Sequence, residues 1–266
     1  MSATTTTTTN TIKLHAYLAH RGIASRRAAE EFIKVGKVTV NGAVAQIGQR
    51  INPAQDQVAV DGKIVTQNHE PTTYILVYKP PGVISTTADE LDRNTVLDLI
   101  PRQSVRLYPV GRLDKESEGL MLLTNDGELA QKLTHPRYHF AKTYQVQVAG
   151  KPTLKALDHL RRGVKLKEGY TQPAEVEVLN REEETTWLSI TIYEGRNRQV
   201  RRMLERVGYE TLRLIRETMG PFSLDDLLEQ PYRILSTREL QQKMTSLADS
   251  ASSQTIIPGT PHLETE

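Results

Sequence analysis

The sequence contains no cysteine, and it has one tryptophan and three phenylalanines among its 266 residues. The absence of cysteine excludes disulfide bonds, thiolate zinc sites, iron–sulfur clusters and cysteine nucleophiles. A chain that folds without disulfide bonds suits the reducing cytoplasm, which is where we expect it to act. No stretch approaches the roughly 18 consecutive apolar residues of a membrane-spanning helix, so we expect no membrane partner.

The chain also has little net charge, because 34 Lys and Arg residues face 32 Asp and Glu residues for a formal charge of +2. Two segments are nevertheless basic. Residues 13–37 carry six Lys or Arg against two Glu, and residues 194–216 carry seven Arg against three Glu. Each cluster alone is compatible with a solvated helix face. Two of them in a near-neutral chain favour a nucleic acid as the partner.

Composition divides the chain into five segments. The first is a Thr-rich run without the basic start and apolar centre of a signal peptide. We predict a disordered tail over residues 1–11, a small basic domain over 12–66, a polar linker over 67–73, a larger domain over 74–245 and a second disordered tail over 246–266.

The small domain is predicted to contain two helices followed by short strands. Apolar residues recur at helical spacing from Leu14, and Ser25 is placed to cap a second helix with its hydroxyl. Asn41-Gly42 and Asp61-Gly62 each follow an alternating segment and supply the positive φ angles of tight hairpins. The pattern therefore predicts a compact helix–strand unit.

Three arginines, Arg21, Arg26 and Arg27, cluster at the turn between the two predicted helices. They form either a solvated helix face or a surface that binds several backbone phosphates. The surrounding pattern resembles the small RNA-binding domain named for small-subunit ribosomal protein four, which implies binding of structured RNA and does not imply catalysis. The residues that carry the resemblance are Lys13-Leu14, Tyr17-Leu18-Ala19, Arg21-Gly22, Ser25-Arg26-Arg27, Glu30, Ile33, Gly36 and Val38-Thr39-Val40-Asn41-Gly42.

The larger domain alternates short strands with helices. Many short strands with few long helices predict a mixed, largely antiparallel α+β domain. The predicted strands cover residues 74–78, 106–110, 120–123, 144–148, 175–179, 187–193 and 211–215, and the predicted helices cover 126–133, 154–160 and 197–207.

Two polar segments of the larger domain are candidates for chemistry. Residues 111–119 form a loop between apolar strands, with glycine at both ends, and such loops often carry reactive groups. Asp114 in this loop is either an ordinary solvated turn residue or, beside an arginine that favours its ionised form, a nucleophile. Residues 194–203 leave a strand, start a helix and are rich in arginine.

Residues 74–245 resemble the pseudouridine synthases of the RsuA/RluB branch, which act on ribosomal RNA. The motifs that carry the resemblance are Lys79-Pro80-Pro81-Gly82-Val83, Gly111-Arg112-Leu113-Asp114, Ser117-Glu118-Gly119-Leu120, Leu122-Leu123-Thr124-Asn125-Asp126-Gly127, His135-Pro136, Lys142-Thr143-Tyr144, Glu194-Gly195-Arg196-Asn197-Arg198-Gln199-Val200-Arg201-Arg202-Met203, and Leu214 with Arg216. The chain departs from the family pattern at none of these positions, and both tails lie outside the resemblance.

The resemblance implies an isomerisation in which the bond between ribose and a uracil nitrogen breaks, the base rotates, and the base rejoins the ribose through carbon. This reaction consumes no cofactor. Asp114 matches the family's catalytic aspartate, and Tyr144 matches the tyrosine that stacks on the uracil and is a candidate to remove its carbon-bound proton. Arg201 matches the basic residue that pairs with the aspartate.

The resemblance also implies residues that bind the substrate. Arg112 matches an arginine near the displaced nucleotide, and Leu214 matches a leucine that packs the pocket. We add the arginines of the two basic clusters as RNA-binding residues, namely Arg196, Arg198, Arg21, Arg26 and Arg27.

The leading hypothesis is a monomeric synthase that modifies 23S rRNA of the large subunit, acting on ribosomal RNA or on a precursor particle. The alternatives are the same chemistry on 16S rRNA and a non-catalytic RNA-binding or ribosome-assembly protein. A ribonuclease would need paired acids or histidines around a phosphate, and none is well placed. We expect no metal, because five of the histidines share no short ligand spacing with acids, namely His15, His20, His69, His135 and His139.

Overall fold

The computed structural model describes residues 11–66 and 71–253, except Ala88, Glu90 and Asp92. The chain divides into two compact units, with the main boundary between Thr72 and Thr73. Most of the first predicted tail and of the predicted linker, residues 1–10 and 67–70, lies outside the described residues.

The first unit consists of two helices and short strands, as the sequence predicted. The elements are β1 (Ile12–Lys13), α1 (Leu14–His20), α2 (Arg26–Lys34), β2 (Val38–Val40), β3 (Ala43–Val44), β4 (Arg50–Ile51), β5 (Val58–Val60) and β6 (Lys63–Ile64). Strands β2, β3, β5 and β6 form an antiparallel sheet in the order β3-β2-β5-β6, and β1 pairs with β4.

The local signals of this unit act as expected. The Ser25 hydroxyl accepts a hydrogen bond from the Ala28 backbone N–H at 3.1 Å and so caps α2. The two hairpins turn at Asn41-Gly42 and Asp61-Gly62, and all four residues have positive φ. Apolar residues of both helices and of the sheet then bury a common core, including Leu14, Leu18, Ile33, Val38 and Ile51.

The second unit is built on a sheet of eight strands. Its elements are β7 (Tyr74–Lys79), β8 (Tyr108–Pro109), β9 (Glu118–Thr124), α3 (Gly127–Thr134), β10 (Lys142–Ala149), α4 (Leu154–Arg162), β11 (Lys165–Leu166), β12 (Gly169–Tyr170), β13 (Glu175–Arg181), β14 (Thr185–Ile192), α5 (Gln199–Arg206), β15 (Thr211–Arg216), β16 (Thr218–Met219), β17 (Phe222–Ser223), β18 (Tyr232–Leu235) and α6 (Thr237–Ser253), with short 3₁₀ helices at Val96–Leu99, Pro136–Tyr138 and Leu224–Leu227.

The order along this sheet is β13-β14-β10-β15-β9-β7-β18, and β8 also pairs with β9. Neighbouring strands are antiparallel except β15 and β9, which are parallel. Helices and a largely antiparallel sheet confirm the predicted α+β class. None of the helices in the described part of the chain is long and apolar enough to cross a membrane.

The parallel pair depends on Gly119 at the start of β9. Gly119 lies opposite Arg216 of β15 and has φ +109, and a Cβ atom at this position would lie 2.3 Å from the Arg216 carbonyl oxygen. Only glycine allows the two backbones to approach this closely. The consequence for the site is that β15 lies directly beside the end of the loop that carries Asp114.

The C-terminal prediction was wrong over residues 246–253, because α6 continues to Ser253. Ser236 and Glu239 cap the start of the helix through reciprocal hydrogen bonds, and Leu240 is buried in the core. The hydroxyls of Thr245 and Ser246 donate to carbonyls four residues earlier, so these polar residues are accommodated within the helix. Residues 254–266 lie outside the described residues.

Candidate active site

A cavity of about 270 Å³ in the second unit brings together the predicted site residues of that unit, with the exception of Arg201. Its walls come from the loop before β9, from β10, from the turn into α5 and from β15. The predicted residues that line it are Arg112, Asp114, Tyr144, Arg196, Arg198 and Leu214. Its volume is slightly below the range of about 300–1,000 Å³ typical of sites for drug-sized ligands, which suits a single nucleoside.

The loop that carries Asp114, residues 110–117, is held from both sides by backbone and side-chain hydrogen bonds. The Ser85 hydroxyl donates to the Leu113 carbonyl at 2.8 Å and accepts from the Leu113 N–H at 3.1 Å. The Gly82 N–H donates to the Lys115 carbonyl at 2.7 Å. These bonds connect the loop to the segment after β7, so the position of Asp114 is fixed by backbone on both sides.

A fully buried lysine, Lys79, also binds the loop that carries Asp114. Its ammonium donates to the Ser117 carbonyl at 2.6 Å and to the Pro80 carbonyl at 3.0 Å. Burial lowers the pKa of Lys79 to about 8, although the nearby Glu116 and Asp114 charges act in the opposite direction. The resemblance contained Lys79 within a motif, but sequence reasoning gave it no role.

The ion pair predicted between Asp114 and Arg201 is made by Arg198 instead. Arg198 Nη1 lies 3.7 Å from Asp114 Oδ2 and 3.1 Å from Glu116 Oε2. Arg198 immediately precedes α5 and has the left-handed backbone conformation, with φ +48. No sequence pattern predicts positive φ at this arginine.

Arg201 lies one turn into α5 and binds the loop without an ion pair to Asp114. Its guanidinium donates to the Thr211 carbonyl at 3.2 Å and to the Ser117 hydroxyl at 3.4 Å. Burial lowers the pKa of Arg201, and the Arg198 charge lowers it further. Arg201 therefore connects α5, β15 and the end of the loop, and its charge acts on Asp114 from outside hydrogen-bonding distance.

The register of β10 and β15 explains how Tyr144 and Leu214 face one cavity. Tyr144 pairs directly with Arg216, and Val146 pairs with Leu214. Paired residues, and residues two apart on one strand, share a face of the sheet. Tyr144, Leu214 and Arg216 therefore form one buried wall of the cavity.

Two cations of the cavity were missed as site residues, Arg216 and Lys142. Arg216 is fully buried, and its Nε donates to the Leu120 carbonyl at 2.8 Å. Burial lowers the pKa of Arg216, while its interaction with the Tyr144 hydroxyl opposes this. The available signal was strand alternation, because Lys142 and Arg216 lie two residues from Tyr144 and Leu214.

Lys142 Nζ donates to the Phe140 carbonyl at 2.8 Å. Burial lowers the pKa of Lys142 to about 8, and the charge of Arg216 adds to the effect. A lysine with this pKa exchanges its proton near neutral pH more readily than an exposed one.

Arg196 lines the cavity, but its guanidinium makes hydrogen bonds to other residues of the protein. Its guanidinium donates to Glu194 Oε2 at 3.0 Å, to the Gly169 carbonyl at 3.0 Å and to the Tyr170 carbonyl at 2.5 Å. It therefore fixes the hairpin β11–β12 beside the turn into α5. Arg112, in contrast, is exposed at the cavity, and no ion pair or hydrogen bond is found for its guanidinium within the described ranges.

The three predicted RNA-binding arginines of the first unit lie at its helix turn. Arg26 and Arg27 are exposed, and Arg21 is half-buried with its guanidinium 5.0 Å from the centre of the Tyr17 ring. Among residues 11–66 and the described part of 71–253, no group of three or more His, Asp or Glu side chains is placed to hold a metal ion.

Two family profiles match the chain, one in each of its two compact units. The profile described as RNA pseudouridylate synthase matches residues 73–206, and the profile of the S4 domain matches residues 12–56. The chain therefore belongs to the RNA pseudouridylate synthase family, and it is a pseudouridine synthase that carries an S4 domain. The family inferred from the sequence motifs is confirmed.

Two named relatives and one solved structure are similar to this chain over most of its length. The chain is 44% identical over 240 residues to ribosomal large subunit pseudouridine synthase B of Bacillus subtilis, covering 89% of this chain and 97% of the relative. It is 47% identical over 176 residues to ribosomal large subunit pseudouridine synthase E of Vibrio vulnificus, covering 61% and 74% of the two chains. A crystal structure of a pseudouridylate synthase superposes with a TM-score of 0.63 at 28% identity, covering 87% of this chain and 99% of that one.

Proposed function

We propose that this enzyme isomerises specific uridines of 23S rRNA to pseudouridine. The observation that carries the proposal is the convergence of the Asp114 carboxylate and the Tyr144 ring on one cavity, with Arg198 3.7 Å from the carboxylate. The choice of the large subunit is supported by relatives that are named for it and that match most of this chain.

The cavity requires the target base to leave its helix. A base inside a duplex is out of reach, and flipping it costs a few kcal/mol. Stacking on an aromatic face offsets about 1–3 kcal/mol per base. In our proposal the Tyr144 ring supplies this face, Leu214 packs beside it, and the exposed Arg112 binds a backbone phosphate.

The bond changes then need no external reagent. Asp114 attacks the anomeric carbon of the ribose, and an ester bond to its carboxylate forms as the bond to uracil N1 breaks. The freed base rotates, and its carbon 5 attacks the anomeric carbon and displaces the Asp114 carboxylate; carbon 5 then loses a proton while N1 gains one. If Asp114 instead only assists cleavage of the bond to N1, no ester forms and carbon 5 bonds to the anomeric carbon directly. Tyr144 is the proposed acceptor of that proton, and Lys142, two residues away on the same strand face, is a group to which it can be relayed.

The first unit is proposed to dock structured RNA through Arg21, Arg26 and Arg27. We further propose that the enzyme acts as a monomer in the cytoplasm, on 23S rRNA or on a precursor particle. A non-catalytic RNA-binding role would explain the basic clusters equally well. It would not explain why Asp114, Tyr144 and Leu214 face a single cavity.

Pseudouridine mapping tests the proposal. Both ribosomal RNAs are labelled with a pseudouridine-specific reagent and read by reverse transcription in a strain with the gene, in a deletion strain, and in the deletion strain carrying the gene again. We expect a 23S signal that is lost on deletion and restored by the gene. A 16S signal with this behaviour would instead favour the small-subunit alternative, and unchanged maps of both RNAs would contradict an rRNA-modifying role.

A further inference from the structure

A second cleft lies in the same unit, between the hairpin β11–β12 and helix α5. It is distinct from the candidate active site, since the two share no lining residue. Its walls are Lys165, Leu166, Lys167, Arg202, Glu205 and Arg206.

The charge of this cleft is positive, because four cations, Lys165, Lys167, Arg202 and Arg206, face one carboxylate of its wall, Glu205. Lys165, Lys167 and Arg206 are exposed, and no ion pair is found for any of them in the part of the chain that the structure describes. Arg202, in contrast, is paired with Glu168 at 2.6 Å. Three unpaired cations around a concave surface form a site for an anion that carries several charges.

An exposed aromatic ring stands beside these cations. Tyr170 is 66% exposed and lies directly opposite Lys165 in the antiparallel hairpin. Directly paired residues share a face of the hairpin, so Tyr170 lies beside Lys165, and Lys167 follows in the turn between the two strands. Leu166 is buried and anchors the other face.

The hairpin is tied to the active-site cavity through Arg196. The guanidinium of Arg196 lines that cavity and binds the carbonyl oxygens of Gly169 and Tyr170. Arg196 therefore connects the wall of the active-site cavity to the hairpin that carries Lys165 and Tyr170.

We propose that this cleft binds the sugar–phosphate backbone of the substrate RNA next to the flipped uridine. Lys165, Lys167 and Arg206 bind phosphates, and the Tyr170 ring stacks on an unpaired neighbouring base. Cations that alternate with an exposed ring suit single-stranded nucleic acid, which offers a phosphate and a flat base at every step. An acidic peptide would use the cations but would leave the ring without a stacking partner. The inference rests on the proposed function, because it places the bound RNA segment next to the uridine that reacts.

The test is a salt titration of binding to an in-vitro transcript of 23S rRNA. Three proteins are compared: wild type, the triple variant Lys165→Gln, Lys167→Gln, Arg206→Gln, and the single variant Tyr170→Ala. A control triple variant, Lys151→Gln, Lys155→Gln, Arg238→Gln, removes the same charge from exposed positions outside both clefts.

We expect the triple variant to reduce the slope of log affinity against log salt by about two to three, since each phosphate contributes about 0.7–0.9. Tyr170→Ala should weaken binding about five- to 150-fold, the range reported for a stacked base. Melting temperatures should stay at the wild-type value for both variants, because all four side chains are exposed. The control should match wild type in slope and affinity.

Two results would overturn the inference: unchanged slope and affinity in both variants, or normal binding of the transcript combined with weak binding of the ribosomal particle, which would indicate a protein partner. Because Tyr170→Ala leaves every charge in place, it tests the cleft even if the triple variant folds poorly. Failure of the proposed function has a different signature. In that case wild type forms no pseudouridine in the transcript, whatever the variants do to binding.

Discussion

Asp114 is one of two carboxylates that share Arg198. The other is Glu116, which lies closer to the guanidinium, at 3.1 Å against 3.7 Å. Only Asp114 lines the cavity. Proximity to an arginine therefore does not distinguish the proposed nucleophile from Glu116, whereas its place in the cavity wall does.

Replacing Asp114 by Asn keeps the shape of the side chain and removes its charge and nucleophilic oxygen. We expect single-turnover pseudouridine formation to fall by about a thousandfold or more, because a covalent step loses its nucleophile. Affinity for the 23S transcript and the melting temperature should stay within error of wild type. Glu116→Gln is the matched control and should remain active; comparable activity of the two variants would remove Asp114 from its proposed role.

The Tyr144 ring and its hydroxyl are separated by two substitutions. An unperturbed phenol with a pKa near 10 is a poor base at neutral pH, so a proton-accepting hydroxyl needs help from a neighbour. We expect Tyr144→Phe to bind RNA and to stall before the final product. Tyr144→Leu should in addition lose about 1–3 kcal/mol of binding free energy, because the stacking face is removed. Binding and single-turnover rates measure the two effects.

Two other outcomes for Tyr144 carry distinct meanings. Normal turnover in Tyr144→Phe with weak binding in Tyr144→Leu would leave stacking as the only role. Normal turnover in Tyr144→Phe with lower melting temperatures in both variants would make Tyr144 a core residue, since it is only 8% exposed.

At the scale of residues, sequence motifs predicted which side chains lie together better than which of them are in contact. Asp114, Tyr144 and Leu214 line one cavity. The resemblance assigned the ion pair with Asp114 to Arg201, but motif order carries no information on side-chain distances, and Arg198 is the arginine that lies 3.7 Å from the carboxylate. Burial of a charged side chain such as Arg216 is likewise a property of the folded sheet.

Gly119 shows at the scale of elements how one backbone position determines strand pairing. We expect Gly119→Ala to lower the free energy of unfolding by about 2–5 kcal/mol, from strain at positive φ and from overlap with the Arg216 carbonyl. Gly169→Ala is the matched control, because Gly169 has nearly the same φ, +110, and no atom within 4 Å of the added Cβ. Denaturant unfolding measures both. Equal losses in the two variants would show that φ alone, and not close strand approach, explains the glycine.

The same two strands are joined by an ion pair. Glu118 of β9 is buried and binds Arg213 of β15 at 2.6 Å, and this bond is the main cause that holds the pKa of Glu118 below its usual value of 4.5. Arg213 is half-exposed, so solvent screens part of the interaction. We expect Glu118→Gln to cost about 1–2 kcal/mol at pH 7.

This cost should depend on pH in a defined direction. The unfolded carboxyl has the higher pKa, so it takes up a proton first as the pH falls, and the native state loses its advantage below about 4.5. The difference in unfolding free energy between wild type and Glu118→Gln should therefore shrink from pH 7 to pH 4. Glu183→Gln, at an exposed turn, is the control and should show no such change. A difference that stays constant with pH would contradict the role of the ion pair.

At the scale of elements, periodicity predicted the long strands of the large sheet and helices α3, α4 and α5, and it missed helix α6 and the short strands. The alternating segments of β10 and β14 and the helical pattern of α5 appear within a few residues of their expected bounds. The predicted strand over 106–110 is reduced to Tyr108–Pro109. Strands of two residues, such as β11 and β12, are too short to show a period.

The whole molecule consists of two units with separate cores. The buried cluster of the second unit includes Leu76, Leu120, Leu122, Phe222 and Leu235, and none of its members belongs to the first unit. The composition shift after residue 66 predicted this division because the small basic unit and the larger domain differ in charge. Composition does not reveal how much each unit contributes to the proposed binding of RNA.

Removal of residues 1–70 tests that division of labour. The truncated enzyme keeps its own core and its whole cavity, so we expect it to fold and to retain single-turnover activity at saturating transcript. Its affinity for 23S transcript should fall, and the salt slope should decrease by about two to three if Arg21, Arg26 and Arg27 each release a counterion from one phosphate. Filter binding across a salt series provides both values.

A full-length variant distinguishes the arginines from the rest of the first unit. Arg26→Gln with Arg27→Gln removes two exposed charges and leaves the core of that unit intact. This variant should reproduce about two-thirds of the slope change of the truncation, because two of the three proposed phosphate contacts are lost. If the truncation weakens binding while the double variant keeps the wild-type slope, the unit binds RNA through another surface. If neither change alters affinity or slope, the first unit is not the RNA-docking domain, and the basic surfaces of the second unit provide the binding by themselves.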